Sequence, residues 1–230
     1  GYFPIIVHGG GADISEWMQK IGKRPKFIDG RRVTDKETLN IVISVLAGKV
    51  NTEMVNQINI LGGKAIGLSG VDDGLITAKI TNSAWGYVGE VYKVKSKSIF
   101  ELIKLGYIPV IAPLCLNAKP NVDDQILNVN ADSVAGEVAR SIKASKLVFI
   151  TDVPGVLDIS KRVIPKLMSR QVRKLVKTSF ISGGMIPKLE ACLNSVSEVN
   201  EAHIIDGRKE GALFLTVTKS KFNKGTIIVN

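Results

Sequence analysis

Two hydrophobic periods alternate along this chain. Short apolar runs rich in β-formers recur between stretches with helical spacing. Pro4 followed by Ile5, Ile6 and Val7 predicts a short buried strand that runs into His8-Gly9-Gly10-Gly11. From about Ala12, the positions Ile14, Trp17, Met18 and Ile21 fall on one helical face, and Gly22 ends that helix. Thr34, with Glu37 three residues on, reads as a capping box. The helix behind it carries Leu39, Val42, Val45 and Leu46 on one face, and a second helix reaches about Ile60. Residues 64–69 and 108–111 predict core strands, 76–80 with 88–94 a hairpin of exposed strands, and 98–105 a helix. The second half repeats the alternation. It has helices over about 131–143, 169–176 and 187–196, and strands over 147–150, 202–205 and 226–229. Such alternation is the pattern of an α/β fold around a mostly parallel sheet. The polar, proline-containing stretch 117–124 separates an N-terminal lobe (1–118) from a C-terminal lobe (119–230).

Composition narrows the class. The 230 residues are 45% hydrophobic and 23% charged, which suits one large globular domain or two small ones. No apolar run approaches the roughly 18 residues of a membrane span, and no signal peptide opens the chain. Cys115 and Cys192 lie far apart and form no metal spacing, so a reduced interior is the simplest setting. The net charge is +10. The basic residues are spread along the chain, and the densest stretch, 161–177, reads as a solvated loop and helix face. No aromatic-rich basic strand accompanies them, which argues against nucleic acid. An anionic small-molecule substrate, or simply a basic surface, fits better.

Candidate chemistry gathers at strand ends. In Ser182-Gly183-Gly184-Met185-Ile186-Pro187-Lys188, two glycines leave backbone N–H groups open to an anion just before a helix. Lys188 then falls in the first turn, beside the positive end of the helix dipole, an unfavourable place unless a phosphate sits between them. His8 to Gly11 is a strand–glycine turn–helix unit, which can bring amides against an oxyanion or serve as a tight connection only. Asn128 and Asn130 alternate onto one face of a strand end, with Asp132 in the following helical turn. Asn130 as N-cap and Asp132 as dipole partner is the structural alternative to a polar ligand. Residues 151–157, with Asp152 and Pro154-Gly155, form a strand end and a turn. Arg31 and Arg32 form an arginine pair able to grip a carboxylate. His203 reads as a satisfied core histidine, and Trp17 and Trp85 as packing. No serine–histidine–acid order and no metal-ligand cluster stands out.

These segments together resemble the N-acetylglutamate kinases of the amino-acid kinase superfamily. The match rests on His8 to Gly11, Asp29-Gly30-Arg31-Arg32-Val33-Thr34-Asp35, Leu46-Ala47-Gly48-Lys49-Val50-Asn51 and Gly67-Leu68-Ser69-Gly70. It continues through residues 128–132, 151–157, 181–188 and Ile205-Asp206-Gly207-Arg208, nearly the whole chain in order. The resemblance implies a three-layer αβα sandwich. Its N-terminal lobe would bind the amino acid and make a homodimer contact, and its C-terminal lobe would bind the nucleotide. It implies transfer of a phosphoryl group from ATP with Mg2+ to the side-chain carboxylate of N-acetyl-L-glutamate, in arginine biosynthesis. Residue by residue, Lys188 matches the lysine that stabilises the transferring group, and Asp132 the acid that orients catalytic lysines. Gly10, Gly11, Arg32 and Asn128 match substrate-binding positions, with Asn130 beside them. Gly9, Asp152, Val153, Pro154, Gly155, Val156, Leu157, Ile181, Ser182, Gly183, Gly184 and Met185 match the nucleotide pocket. A PII-type regulatory partner and a cytoplasmic or plastid-stroma location are further implications, with no nucleic acid, no membrane and no resident metal.

The sequence departs from the family pattern at two places. The family begins with a strand carrying Lys-x-Gly-Gly, which this sequence lacks. An N-terminally incomplete chain without the first strand and its second phosphoryl-stabilising lysine is the expectation. Gly211 stands where arginine-inhibited members usually carry a histidine, and the N-terminal helix associated with hexamers is not in this sequence, so neither arginine inhibition nor a hexamer is part of the expectation. The competing readings are a kinase for carrier-bound aminoadipate or glutamate and a non-catalytic interaction protein of the same fold.

Overall fold

The computed structural model describes residues 1–28, 30–119, 125–177, 181, 183–218 and 225–230. They form two compact units, Gly1–Val134 and Ala135–Asn230. The first holds β1 (Ile6–Val7), α1 (Gly11–Lys20), β2 (Phe27–Ile28), β3 (Arg31–Arg32), α2 (Lys36–Ile43), a π-helical stretch Ser44–Val50, α3 (Asn51–Ile60) and β4 (Ala65–Ser69). It continues with β5 (Ile76–Lys79), β6 (Val88–Val94), α4 (Ser96–Lys104), β7 (Ile108–Ala112), β8 (Leu114–Asn117), β9 (Ile126–Val129) and the first turn of α5 (Ala131–Ser141).

Strands β1, β7 and β4 pair in parallel in that order, with Ile6 opposite Val110 and Ala65 opposite Ile108. Their connections carry helices, as parallel strands require. The face read from sequence on α2 and the π stretch is the buried one. Val42, Val45 and Leu46 pack with Ile14 and Met18 of α1 and with Ala112 and Leu114. Full burial of each such side chain contributes about 1.5–3 kcal/mol. Strands β5, β6, β9 and β8 close a small barrel.

Three expectations are corrected in this unit. Strands β5 and β6 do pair antiparallel, but as barrel walls rather than exposed ribbons, with Ile76, Ala78 and Val88 buried. Asp35, not Thr34, caps α2, its carboxylate accepting from the Thr38 amide at 2.7 Å. Thr34 is taken out of the capping role because its backbone pairs with the Trp85–Tyr87 turn. The first unit also runs past residue 118, because β9 completes the barrel against β8 and β6. Most of the stretch expected as the break, residues 120–124, lies outside the described residues.

The second unit holds the rest of α5, β10 (Lys146–Thr151), β11 (Lys166–Met168), α6 (Ser169–Lys177), α7 (Met185–Ser195), β12 (Glu201–Asp206), α8 (Ala212–Thr218) and β13 (Gly225–Val229). Its sheet order is β10-β12-β13-β11, with β10/β12 and β11/β13 parallel and β12/β13 antiparallel. Phe149, Leu167, Val172, Leu189 and Ile204 are among its core residues. The basic stretch 161–177 is therefore only partly a solvated face, because β11 runs through it. His203 is buried beside Glu201, Nε2 to Oε2 3.0 Å, and burial pushes its imidazole pKa down, in keeping with a structural histidine. Both cysteines are buried and neither is in a disulfide, and burial pushes the Cys115 thiol up. Trp17 is 43% exposed, against its reading as packing. Among the described residues no helix is long and apolar enough to cross a membrane.

Candidate active site

The glycine turn is anchored from beneath. Strand β1 delivers His8, which is 5% exposed, to the side chain of Asn51 at the start of α3. The Asn51 amide nitrogen lies 2.9 Å from His8 Nε2 and 3.0 Å from the Val110 carbonyl. An amide nitrogen can only donate, so Nε2 accepts, and the ring proton sits on Nδ1, facing the Gly9 carbonyl at 3.0 Å. Burial pushes the imidazole pKa down and favours this neutral form. Gly10 then passes close under the π stretch. A Cβ there would meet Leu46 Cδ2 at 2.7 Å and Val50 Cγ2 at 3.3 Å. Helix α1 starts at Gly11 with no side chain capping it, so its leading amides remain available to an anion.

A cleft of about 220 Å³ opens above this turn. Gly9, Gly10, Gly11, Arg32, Asn128 and Asn130, read from three separate motifs, all line it. Its walls add Ile14, Phe27, Arg31, Leu46, Val88, Pro113 and Val129. The hairpin β2–β3 supplies the cations. Arg32 donates from Nη2 to the Gly11 carbonyl at 2.9 Å and to Ser15 Oγ at 2.8 Å, and its guanidinium stacks 4.9 Å from the Phe27 ring centre. Burial lowers its pKa, yet a guanidinium stays charged. Arg31 lies over Trp85, 4.4 Å from the ring centre, and pairs with Glu90 at 2.9 Å. Asn130 does cap α5, its Oδ1 accepting from the Ser133 amide at 3.0 Å, while its side chain also borders the cleft. Asp132 sits half-buried in the first turn of α5.

In the second unit Lys188 is the fourth residue of α7, half-buried, with Nζ 5.9 Å from the Phe149 ring centre. Gly183, at φ +63°, and Gly184 lead into the helix, and no side chain caps it. Ser182 lies outside the described residues. Ile181 is buried in the core and Met185 packs against it, so what these two can offer a ligand is chiefly main chain. Asp152 is exposed at the end of β10, and Val153 and Pro154 are half-buried behind it. Gly155 and Val156 turn inward, where the Val156 amide donates to Thr226 Oγ1 at 2.8 Å. Leu157 bridges to Val163. At the end of β12, Arg208 grips Asp206 with two hydrogen bonds of 2.9 and 3.0 Å, holding that carboxyl down at about 2.

Residues 1–206 match the Amino acid kinase family. The chain belongs to that family. Within it, an acetylglutamate kinase of Methanosphaera stadtmanae is 42% identical over 99% of this chain and 80% of its own length. One of Synechocystis sp. is 46% identical over 94% of this chain and 73% of its own length. A solved structure from Streptococcus mutans UA159 is 30% identical, with a TM-score of 0.84 over 98% of this chain and 85% of that one. The N-acetylglutamate synthase of Neisseria gonorrhoeae, solved with coenzyme A and N-acetyl-glutamate, reaches the same TM-score over 52% of its length at 20% identity, a likeness of fold alone. The expected α/β class of the amino-acid kinase fold therefore stands.

Motif reading of this amino-acid kinase missed most of the cleft wall. Phe27, Val88 and Pro113 come from three different strands or strand junctions, and nothing local marks them. Arg31 was marked by the arginine pair itself, and it lines the cleft together with Arg32. Leu46 was read correctly as core. It is also the ceiling over Gly10.

Proposed function

We propose that this chain phosphorylates the side-chain carboxylate of N-acetyl-L-glutamate with ATP, giving an acyl phosphate and ADP. The observation that carries the reading is the cleft of the first unit. It gathers an amide-rich glycine turn, Arg32, Asn128 and Asn130 around a volume suited to a small acidic amide, in a family member 42–46% identical to acetylglutamate kinases. In the reaction a carboxylate oxygen bonds to the γ-phosphorus as the bridging P–O bond to ADP breaks. A carboxylate is already ionised at neutral pH, so no general base is needed. The chain's task is then positioning and charge neutralisation. Arg32 and the two asparagines hold the amino acid, the amides of Gly10 and Gly11 meet the transferring oxygens, and Lys188 neutralises charge that grows on them, with Asp132 orienting the cations. Residues 152–157 and 181–185 take the nucleotide, and Gly9 belongs to its phosphate end. Magnesium enters as part of the nucleotide substrate, held through phosphate oxygens. A homodimer through the first unit, a PII-type regulator and a cytoplasmic site of action complete the reading.

The test is ADP formation with N-acetylglutamate, glutamate and aminoadipate offered separately. Only the first should support turnover. Absence of acetylglutamate-dependent ADP overturns the reading, and turnover with aminoadipate in its place redirects it to the carrier-linked branch. Lys188→Ala should lower kcat by about 100- to 1000-fold, the usual effect of losing one transition-state donor. A variant with full turnover removes Lys188 from the chemistry.

A further inference from the structure

Thr34 is 0% exposed and is not among the residues lining the cleft, yet it touches both sides of the cleft's polar set. Its main chain is fixed first. Its amide donates to the Trp85 carbonyl at 2.9 Å, and its carbonyl accepts from the Tyr87 amide at 2.7 Å. The turn between them needs Gly86, at φ +71°, where a Cβ would lie 2.3 Å from the Thr34 oxygen. The hydroxyl is fixed next. It lies 3.0 Å from the Arg32 carbonyl and 3.2 Å from Asn128 Nδ2.

A hydroxyl carries one proton. The Arg32 carbonyl can only accept, so that proton goes to it. The oxygen's lone pairs then face Asn128, which must present its NH2 group rather than its carbonyl. Turning the Asn128 amide over would set oxygen against oxygen with no proton between them. One buried hydroxyl therefore decides which way the Asn128 amide faces and holds the backbone that carries Arg32. The second N–H and Oδ1 of Asn128 are left in a defined order at the cleft.

We propose that Thr34 is a positioning residue for substrate recognition, acting through Asn128 and Arg32. This rests on the reading that the cleft takes acetylglutamate. Thr34→Val keeps the shape and removes the hydroxyl, which leaves the amide free to turn over. Its KM for acetylglutamate should rise about tenfold, the effect of one hydrogen bond lost with its partner left unsatisfied. Its kcat and its KM for ATP should change by no more than about twofold, and Thr34→Ser should restore the wild-type KM. Adding Asn128→Ala to Thr34→Val should cost less than the product of the two single effects. Calorimetric titration of acetylglutamate into each folded protein reads the same ratios without turnover.

A folded Thr34→Val with unchanged KM overturns the proposal, and so does an equal rise in the Val and Ser variants. If the Val variant does not fold, Thr34→Ala against Thr34→Ser isolates the hydroxyl in the same way, and an equal KM in those two overturns it. Wild-type protein that neither binds nor turns over acetylglutamate removes the functional reading itself. That outcome is distinct from wild-type turnover with an insensitive Thr34.

Discussion

Gly10 is limited by volume rather than by torsion, since its φ of 178° is open to any residue. What excludes a side chain there is Leu46, itself buried. Gly10→Ala should cost about 1–3 kcal/mol of stability by overpacking and should weaken acetylglutamate binding. Urea unfolding and calorimetry would check this, and Gly10→Ala/Leu46→Val should recover part of both losses. At Asp206 the prediction is one of pH. Its folded pKa of about 2 lies below the ordinary 3.8, so its pairing with Arg208 stabilises the fold above the unfolded value. That contribution fades as pH falls from about 5 towards 2. Asp206→Asn should therefore flatten the acid side of the stability curve, read as urea midpoints between about pH 5 and pH 3. Single residues were legible where chemistry forces a choice, as with the asparagines at one strand end. Thr34 was not, because Ser, Thr and Asp all make good helix caps, and only the long-range pairing with the Trp85–Tyr87 turn hands that job to Asp35.

Helix α6 shows how an element can carry an unrelieved cost. Arg170, Arg173, Lys174 and Lys177 are exposed and fall three or four residues apart, with no acidic residue in the helix. Each like-charge pair destabilises by roughly 0.2–0.5 kcal/mol. Arg170→Glu turns two such pairs attractive and puts an acid near the helix N-terminus. It should stabilise the second unit by about 1 kcal/mol, seen as a higher urea midpoint that shrinks with added salt. Strands were legible where burial makes an unbroken apolar run, as in β7 and β10. Strand β11, with a lysine at its head, and the two-residue β2 and β3 gave too short a signal for either period to register. Helix α8, rich in threonine and β-branched neighbours, carried no capping signal to separate it from a strand.

For the molecule as a whole, the order of elements and the family could be read in advance, because nearly every motif sits at the end of a strand that was itself visible. The division at Val134/Ala135 could not, since it depends on β9 closing a barrel with strands distant in sequence. The net charge of +10 acts at this scale too. Both proposed substrates are anions, so KM for acetylglutamate should rise with KCl between about 0.05 and 0.5 M while kcat holds nearly steady, as screening shortens the reach of the field. The wide turn at Ser44–Val50 behaves like a residue inserted into an α-helix. Deleting one residue there would let an ordinary helix form, but would swing Asn51 about 100° around the axis and off His8 and the Val110 carbonyl. Descendants of this chain can lengthen or shorten its surface loops freely. In this stretch their length is fixed by a histidine more than thirty residues earlier.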